Sequence, residues 1–190
     1  MKIDNVFLRL EAHSLVDWGV LLLGIQNELP GFSDERLSGK FVEEFATEEL
    51  AEIGSGDELF ELMASLALDV DTASPETRKS IEEVCHIKRV DTQLSMRKWQ
   101  FVIIEDLMNR IDPDPLYGLI QLSEAWAAWG WPSDAPTSMR NGGGGISADQ
   151  YGSSDAFLRI KEEVEKWLRT ELTELKKDSD VTRIADSSRA

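Results

Sequence analysis

The residue types that do chemistry are unevenly supplied in this chain. Its 190 residues hold 36 acids, 20 bases, two histidines, one cysteine and six tryptophans. Carboxylates are plentiful, but nucleophiles and imidazoles are scarce. A single cysteine, Cys85, excludes an internal disulfide framework and any Cys-rich zinc site. Neighbours on a helix point about 100° apart, so Cys85 and His86 do not form a thiolate–imidazole pair. They read instead as a core cysteine beside a surface histidine. His13 stands alone before a helix start and reads as a connector. Glu105, Asp106, Asp112 and Asp114 carry oxygens of the kind a hard cation prefers. Their spacing matches no calcium loop, and Asp114 is better explained as a helix cap. The run Gly142–Gly145 is followed by no Lys-Ser or Lys-Thr, so it is not a phosphate loop. The expectation is a protein without catalysis, metal or cofactor.

What the acids do together is a separate matter. The formal net charge is −16, and residues 1–74 alone contribute −12. Residues 34–71 hold 12 acids against Arg36 and Lys40. Phosphate contacts need Lys and Arg, so nucleic acid is a poor partner, as is an anionic membrane. A concentrated negative field instead speeds encounter with a basic partner. Glu43, Glu44, Glu48, Glu49, Asp57, Glu58 and Glu61 are the candidate contact residues; the plainer reading of such a block is a solvated face. The tryptophans add a second candidate. Trp126 continues a core stripe, whereas Trp129 and Trp131 flank a helix stop and cannot both follow it. A tryptophan left at a helix end is a candidate interface anchor, or else part of a local cluster closing two helices.

Helical periodicity must position these residues. Ser14, with Asp17 three positions on, reads as a capping box opening a helix through Leu15, Trp18, Leu22 and Ile25. Pro30-Gly31 stops it. Ser33 caps a second helix carrying Leu37, Phe41, Val42, Phe45 and Ala46. Continued without a break, it would turn Glu49 and Glu52 onto that apolar face, so a break is expected near Thr47. Asp57 opens a third helix, Glu58 to about Leu68, apolar nearly all round and therefore in the core. Ser74-Pro75-Glu76 is a strong start, with proline at the first helical position. Another helix spans about Gln93 to Ile111. Asp112-Pro-Asp-Pro115 interrupts it, and Asp114-Pro115 restarts the chain as cap and first residue. Gly130 ends that helix. The last runs from Ser154 to about Lys177. Residues 6–11 fit either a short strand or a first helix.

The predicted fold is all-α: six to seven helices in an irregular bundle or a short solenoid-like stack, with at most one short N-terminal strand. One domain covers residues 1–177, with a Gly-rich loop at 132–153, and residues 178–190 form a flexible tail. The N-terminus lacks the pattern of a secretory leader, and Val20–Ile25 is too short to cross a bilayer. A cytoplasmic location is expected.

Three segments, taken in order, resemble a family. Trp18-Gly19 lies in an apolar helix and is followed by a helix ending in Phe45-Ala46. Arg97-Lys98-Trp99 opens a long apolar helix. Asp114-Pro115-Leu116 starts another, which closes on Trp129-Gly130-Trp131-Pro132, with Met139-Arg140 beyond. This order is similar to that of an uncharacterised bacterial family of small helical proteins found beside polymorphic toxins and taken to be immunity proteins. It spans about residues 14–140. Gly130 and Trp131 depart from the pattern, and the Gly-rich loop and final helix lie outside it. The resemblance implies a non-enzymatic inhibitor of a cognate, basic toxin domain and supplies no catalytic residues. Three other classes remain open: an acidic adaptor or DNA mimic that binds a nucleic-acid-binding protein, a hydrolase with a carboxylate-held metal, and a purely structural helical module distinguished by self-association.

Overall fold

The computed structural model describes residues 2–32, 34–136, 138 and 152–187, with side chains as far as Asp178. Ser33, Met139-Arg140 and Gly142–Gly145 lie outside the described residues. Among the described residues the chain is all-α, with eight helices and no strand. None of these helices is long and apolar enough to cross a membrane. Contacts group the chain into two compact units, Met1–Trp99 and Gln100–Ala190. The expected single domain over residues 1–177 stands beside that grouping as an expectation.

The first unit opens with α1 (Ile3–Ala12). Residues 6–11 are therefore helical, and the strand alternative is withdrawn. The reason is the period: Ile3, Val6, Phe7 and Leu10 are all buried, and only a helix puts adjacent Val6 and Phe7 on one face. Helix α2 (Trp18–Ile25) follows, with seven of its eight residues buried. Its cap is Asp17, not Ser14. Asp17 Oδ1 accepts the Val20 N–H at 2.7 Å. Ser14 follows the end of α1 with a φ of 59°, which lets the chain turn and bury Leu15.

Helix α3 (Gly39–Glu52) begins after Ser38, later than a Ser33 cap would allow, and runs through Thr47 unbroken. The expected break assumed unpaired carboxylates. Glu49 in fact meets the ammonium of Lys88, and Glu52 is exposed. Thr47 is no cap; its hydroxyl donates back to the Glu43 carbonyl at 2.7 Å. Helix α4 (Phe60–Leu66) is shorter than expected and buries Met63 and Leu66, while Leu68 lies beyond its end and is exposed. Helix α5 (Pro75–Ile87) starts where the sequence placed it: Ser74 Oγ accepts the Glu76 and Thr77 N–H groups.

Helix α6 (Thr92–Asn109) contains the boundary between the two units. In the second unit it buries Phe101, Val102, Ile103, Ile104 and Leu107. Helix α7 (Pro115–Ala128) has the expected cap, Asp114, whose Oδ1 accepts the Leu116 and Tyr117 N–H groups. Helix α8 (Ser154–Ser187) buries Phe157, Ile160, Val164, Trp167 and Leu175. It continues about ten residues past the expected end at Lys177. The run 178–187 has little apolar content, and no Gly or Pro lies in it to stop the helix. Gly118 seats α7 against α8, since a Cβ there would come within 2.5 Å of the Phe157 ring.

Candidate functional site

The predicted contact acids divide by what they already bind. Glu43 is half-buried and accepts the Val70 N–H at 2.8 Å, fastening the segment after α4 to α3. Gly39 completes this seam, because a Cβ at that position would lie 2.2 Å from the Val70 carbonyl oxygen. Glu49 is held by Lys88. Asp57 Oδ1 accepts the Leu59 N–H at 2.8 Å and so orders the entry to α4. These three are fixed by the fold. Glu44, Glu48, Glu58 and Glu61 are exposed.

Glu44 and Glu48 sit one turn apart on α3, where like charges repel by about 0.2–0.5 kcal/mol. A third carboxylate joins them from α1. Burial raises the pKa of Glu11 above the ordinary carboxylate value, and the negative charges of Glu44 and Glu48 raise it further, against a smaller opposing effect of Lys40. The sequence reading missed Glu11, because only the packing of α1 on α3 brings it to this face. The arrangement is an outward concentration of negative potential with one nearby base, whose ammonium lies 4.5 Å from the Phe41 ring centroid. Chemically it attracts cationic groups.

Glu58 also borders an open groove of about 580 Å³ lined by Cys85, His86, Ile87, Arg89 and Val90. Cys85 and His86 fall as expected, one buried and one exposed. Burial, with smaller contributions from Asp17 and Glu82, pushes the thiol up to about 12. Cys85 is therefore a buried thiol held in its neutral form at physiological pH. Among the acids weighed as a metal site, Asp112 Oδ1 accepts the Asp114 N–H, Asp114 caps α7, and Asp106 pairs with Arg110 at 2.7 Å. Among the described residues no group of three or more His, Cys, Asp or Glu is placed to hold a metal ion.

The tryptophans also divide. Trp126 is fully buried and meets Trp167 edge-on, with ring centroids 4.9 Å apart. The Trp167 indole donates to Asp134 Oδ2 at 2.8 Å. Trp129 and Trp131 are only half-buried. Trp129 is the C-cap of α7, and the N–H groups of Gly130 and Trp131 bond back to Ala127 and Trp126. Gly130 and Trp131 both take positive φ, 70° and 52°. The left-handed turn holds the two flanking rings out of the α7 stripe.

Two further segments singled out in the sequence meet inside the first unit. Asp17, which caps α2, also receives the Lys98 ammonium on Oδ2 and the Ser95 hydroxyl on Oδ1 at 3.0 Å. The Trp99 indole donates to the Val20 carbonyl at 2.9 Å. A Cβ on Gly19 would lie 2.3 Å from Ser95 Oγ. Trp18-Gly19 and Ser95-Lys98-Trp99 thus form one buried lock between α2 and α6. The Lys98 side chain is only 4% exposed. Its hint in the sequence was the pair Arg97-Lys98 directly before the largely apolar run Trp99–Ile104; its partner 81 residues away was not legible.

The bacterial family described as "Uncharacterized protein conserved in bacteria (DUF2247)" matches residues 8–172. The chain belongs to that family. The family match takes in the Asp17–Lys98 lock, the outward acids and the Trp129-Gly130-Trp131 turn, and it ends within α8. No curated protein and no solved structure matches the chain.

Proposed function

We propose that this protein is an immunity protein that binds a cognate, basic bacterial toxin domain and neutralises it without catalysis. The observation that carries the reading is the convergence of Glu11, Glu44 and Glu48, carried by two helices, into one outward negative surface. Glu58 and Glu61 extend the supply of exposed charge. Toxin domains that act on nucleic acid need basic grooves. An acidic inhibitor associates quickly with such a groove and covers it. Trp129 and Trp131 are the apolar anchors in this reading, and they slow release. Glu43, Glu49 and Asp57 leave the contact set, since each already has an internal partner.

The test is capture of partners from a bacterial host that carries this chain, at low and at physiological salt, followed by association kinetics. The expected result is recovery of a basic toxin domain. Glu44→Lys, Glu48→Lys, Glu58→Lys and Glu61→Lys combined should then cut its association rate at least tenfold and flatten the salt dependence. Recovery of a transcription or repair protein instead would replace immunity with the adaptor reading. An unchanged association rate would show the acidic surface to be merely solvated.

A further inference from the structure

Glu124 is the one charged residue of α7. It is exposed, and among the described residues it has no hydrogen-bond or ion-pair partner. Its surroundings on the helix are apolar. Leu116 (40%), Tyr117 (59%) and Ile120 (36%) are strongly exposed, and so are Ala127 and Ala128. At about 100° per residue, these five positions and Glu124 fall within one arc of about 120°. The buried residues Gly118, Leu119, Leu122 and Trp126 face the other way. Ile120, Ala127 and Ala128 lie one turn from Glu124, so the carboxylate stands inside the apolar strip and not at its edge.

That placement decides what can cover the strip. An occupant that takes these apolar side chains out of water takes Glu124 with them. A carboxylate buried without a partner is costly, so the occupant must bring a cation to it. A second copy would bring another Glu124 and a net charge of −16 against −16. An amphipathic helix lies on a bilayer by means of cations around its apolar face, and α7 has no Lys or Arg. A wholly apolar segment leaves Glu124 unpaired. We propose that the outward face of α7 docks a helical segment of another protein, apolar along one stripe apart from a single Lys or Arg that meets Glu124. The exposed strip runs the length of α7, about 21 Å, which suits a second helix laid alongside. Leu116, Tyr117 and Ile120 receive its apolar residues, Ala127 and Ala128 leave room for close approach, and the negative charge of the chain draws the cation in. This surface belongs to the second unit and does not rest on the acids of α1 and α3.

Panning of the full chain with 14-residue helices, displayed on a small helical scaffold with one face randomised, tests the proposal. Enriched helices should carry one Lys or Arg with apolar residues three and four positions away. Their affinity should fall at least tenfold on Glu124→Gln and on Ile120→Asp. It should stay the same on Glu44→Lys combined with Glu48→Lys. All four positions are exposed, so the fold is retained. Exchange of charges is the sharpest arm: replacing the cation of an enriched helix by Glu should abolish binding to the natural chain and restore it on Glu124→Lys. The proposal is overturned if no helix is enriched, or if the enriched helices lack a cation or ignore Glu124. Helices lost on the α3 substitutions instead read the acidic surface of the first unit, and they overturn it too. Failure to capture a toxin leaves the panning result untouched, so the two readings fail separately. Self-association, or sedimentation with anionic phospholipid vesicles, that Ile120→Asp abolishes would overturn it in favour of a second copy or a membrane.

Discussion

In the first unit Trp18-Gly19 lies inside α2, with both residues buried. In the second unit Trp129-Gly130 lies at the end of α7, with Trp129 half-buried and Gly130 exposed. The dipeptide is the same, but the glycines do different work. Gly19 has ordinary helical φ, and what matters is the missing Cβ, because Ser95 Oγ and Val90 Cγ1 occupy its place. Gly130 has nothing within 4 Å of a would-be Cβ. What matters there is a φ of 70°, which stops the helix. A glycine fixed by packing and a glycine fixed by backbone conformation look identical in a sequence. The tryptophans follow suit: Trp18 packs edge-on against Phe45 in the core, with centroids 5.1 Å apart, while Trp129 is left partly in water.

Substitutions can break this contrast in order of size. The largest effect should come from Lys98→Met, which removes the ammonium from Asp17. Breaking a buried pair costs about 3–5 kcal/mol, and the 27% exposure of the Asp17 side chain places this one near the lower end. Denaturant unfolding measures it. Asp17→Asn added to Lys98→Met should recover part of the loss, as a double-mutant cycle would report. Gly19→Ala should follow at about 1–3 kcal/mol, the usual cost of overpacking a filled core. A neutral result would mean that α2 and α6 part easily. Gly130→Ala should cost less, about 1 kcal/mol, and only through the left-handed backbone. Gly130→Asn should cost less still, since asparagine tolerates that region. Were Gly130→Ala worse than Gly19→Ala, the division of roles drawn between the two glycines would be reversed.

Legibility in the sequence followed the range of the interaction. Ser74-Pro75 and Asp114-Pro115 were readable as helix starts because cap, proline and first amide lie within four residues. The stop at Gly130 was readable for the same reason. The break expected at Thr47 failed because Lys88, 39 residues away, supplies the charge that lets α3 continue past Glu49. Asp17 was placed inside a capping box, but it caps the helix itself, where it also meets Ser95 and Lys98. In the candidate site, the abundance of acid was plain from composition. Which acids remain outward was not, since Glu43 and Glu49 are taken by partners 27 and 39 residues distant.

Taken alone, the sequence determined the helical class, several caps, the negative charge and the scarcity of cysteine and histidine. Each depends on composition or on contacts within a turn of helix. The tertiary structure decided which carboxylates are already bound, that Glu11 joins Glu44 and Glu48, that Lys98 closes on Asp17, and that α7 keeps an apolar face in water. Those outcomes depend on which distant groups become neighbours. A carboxylate has the same formula whether it meets an amide, an ammonium or solvent, and only packing settles which.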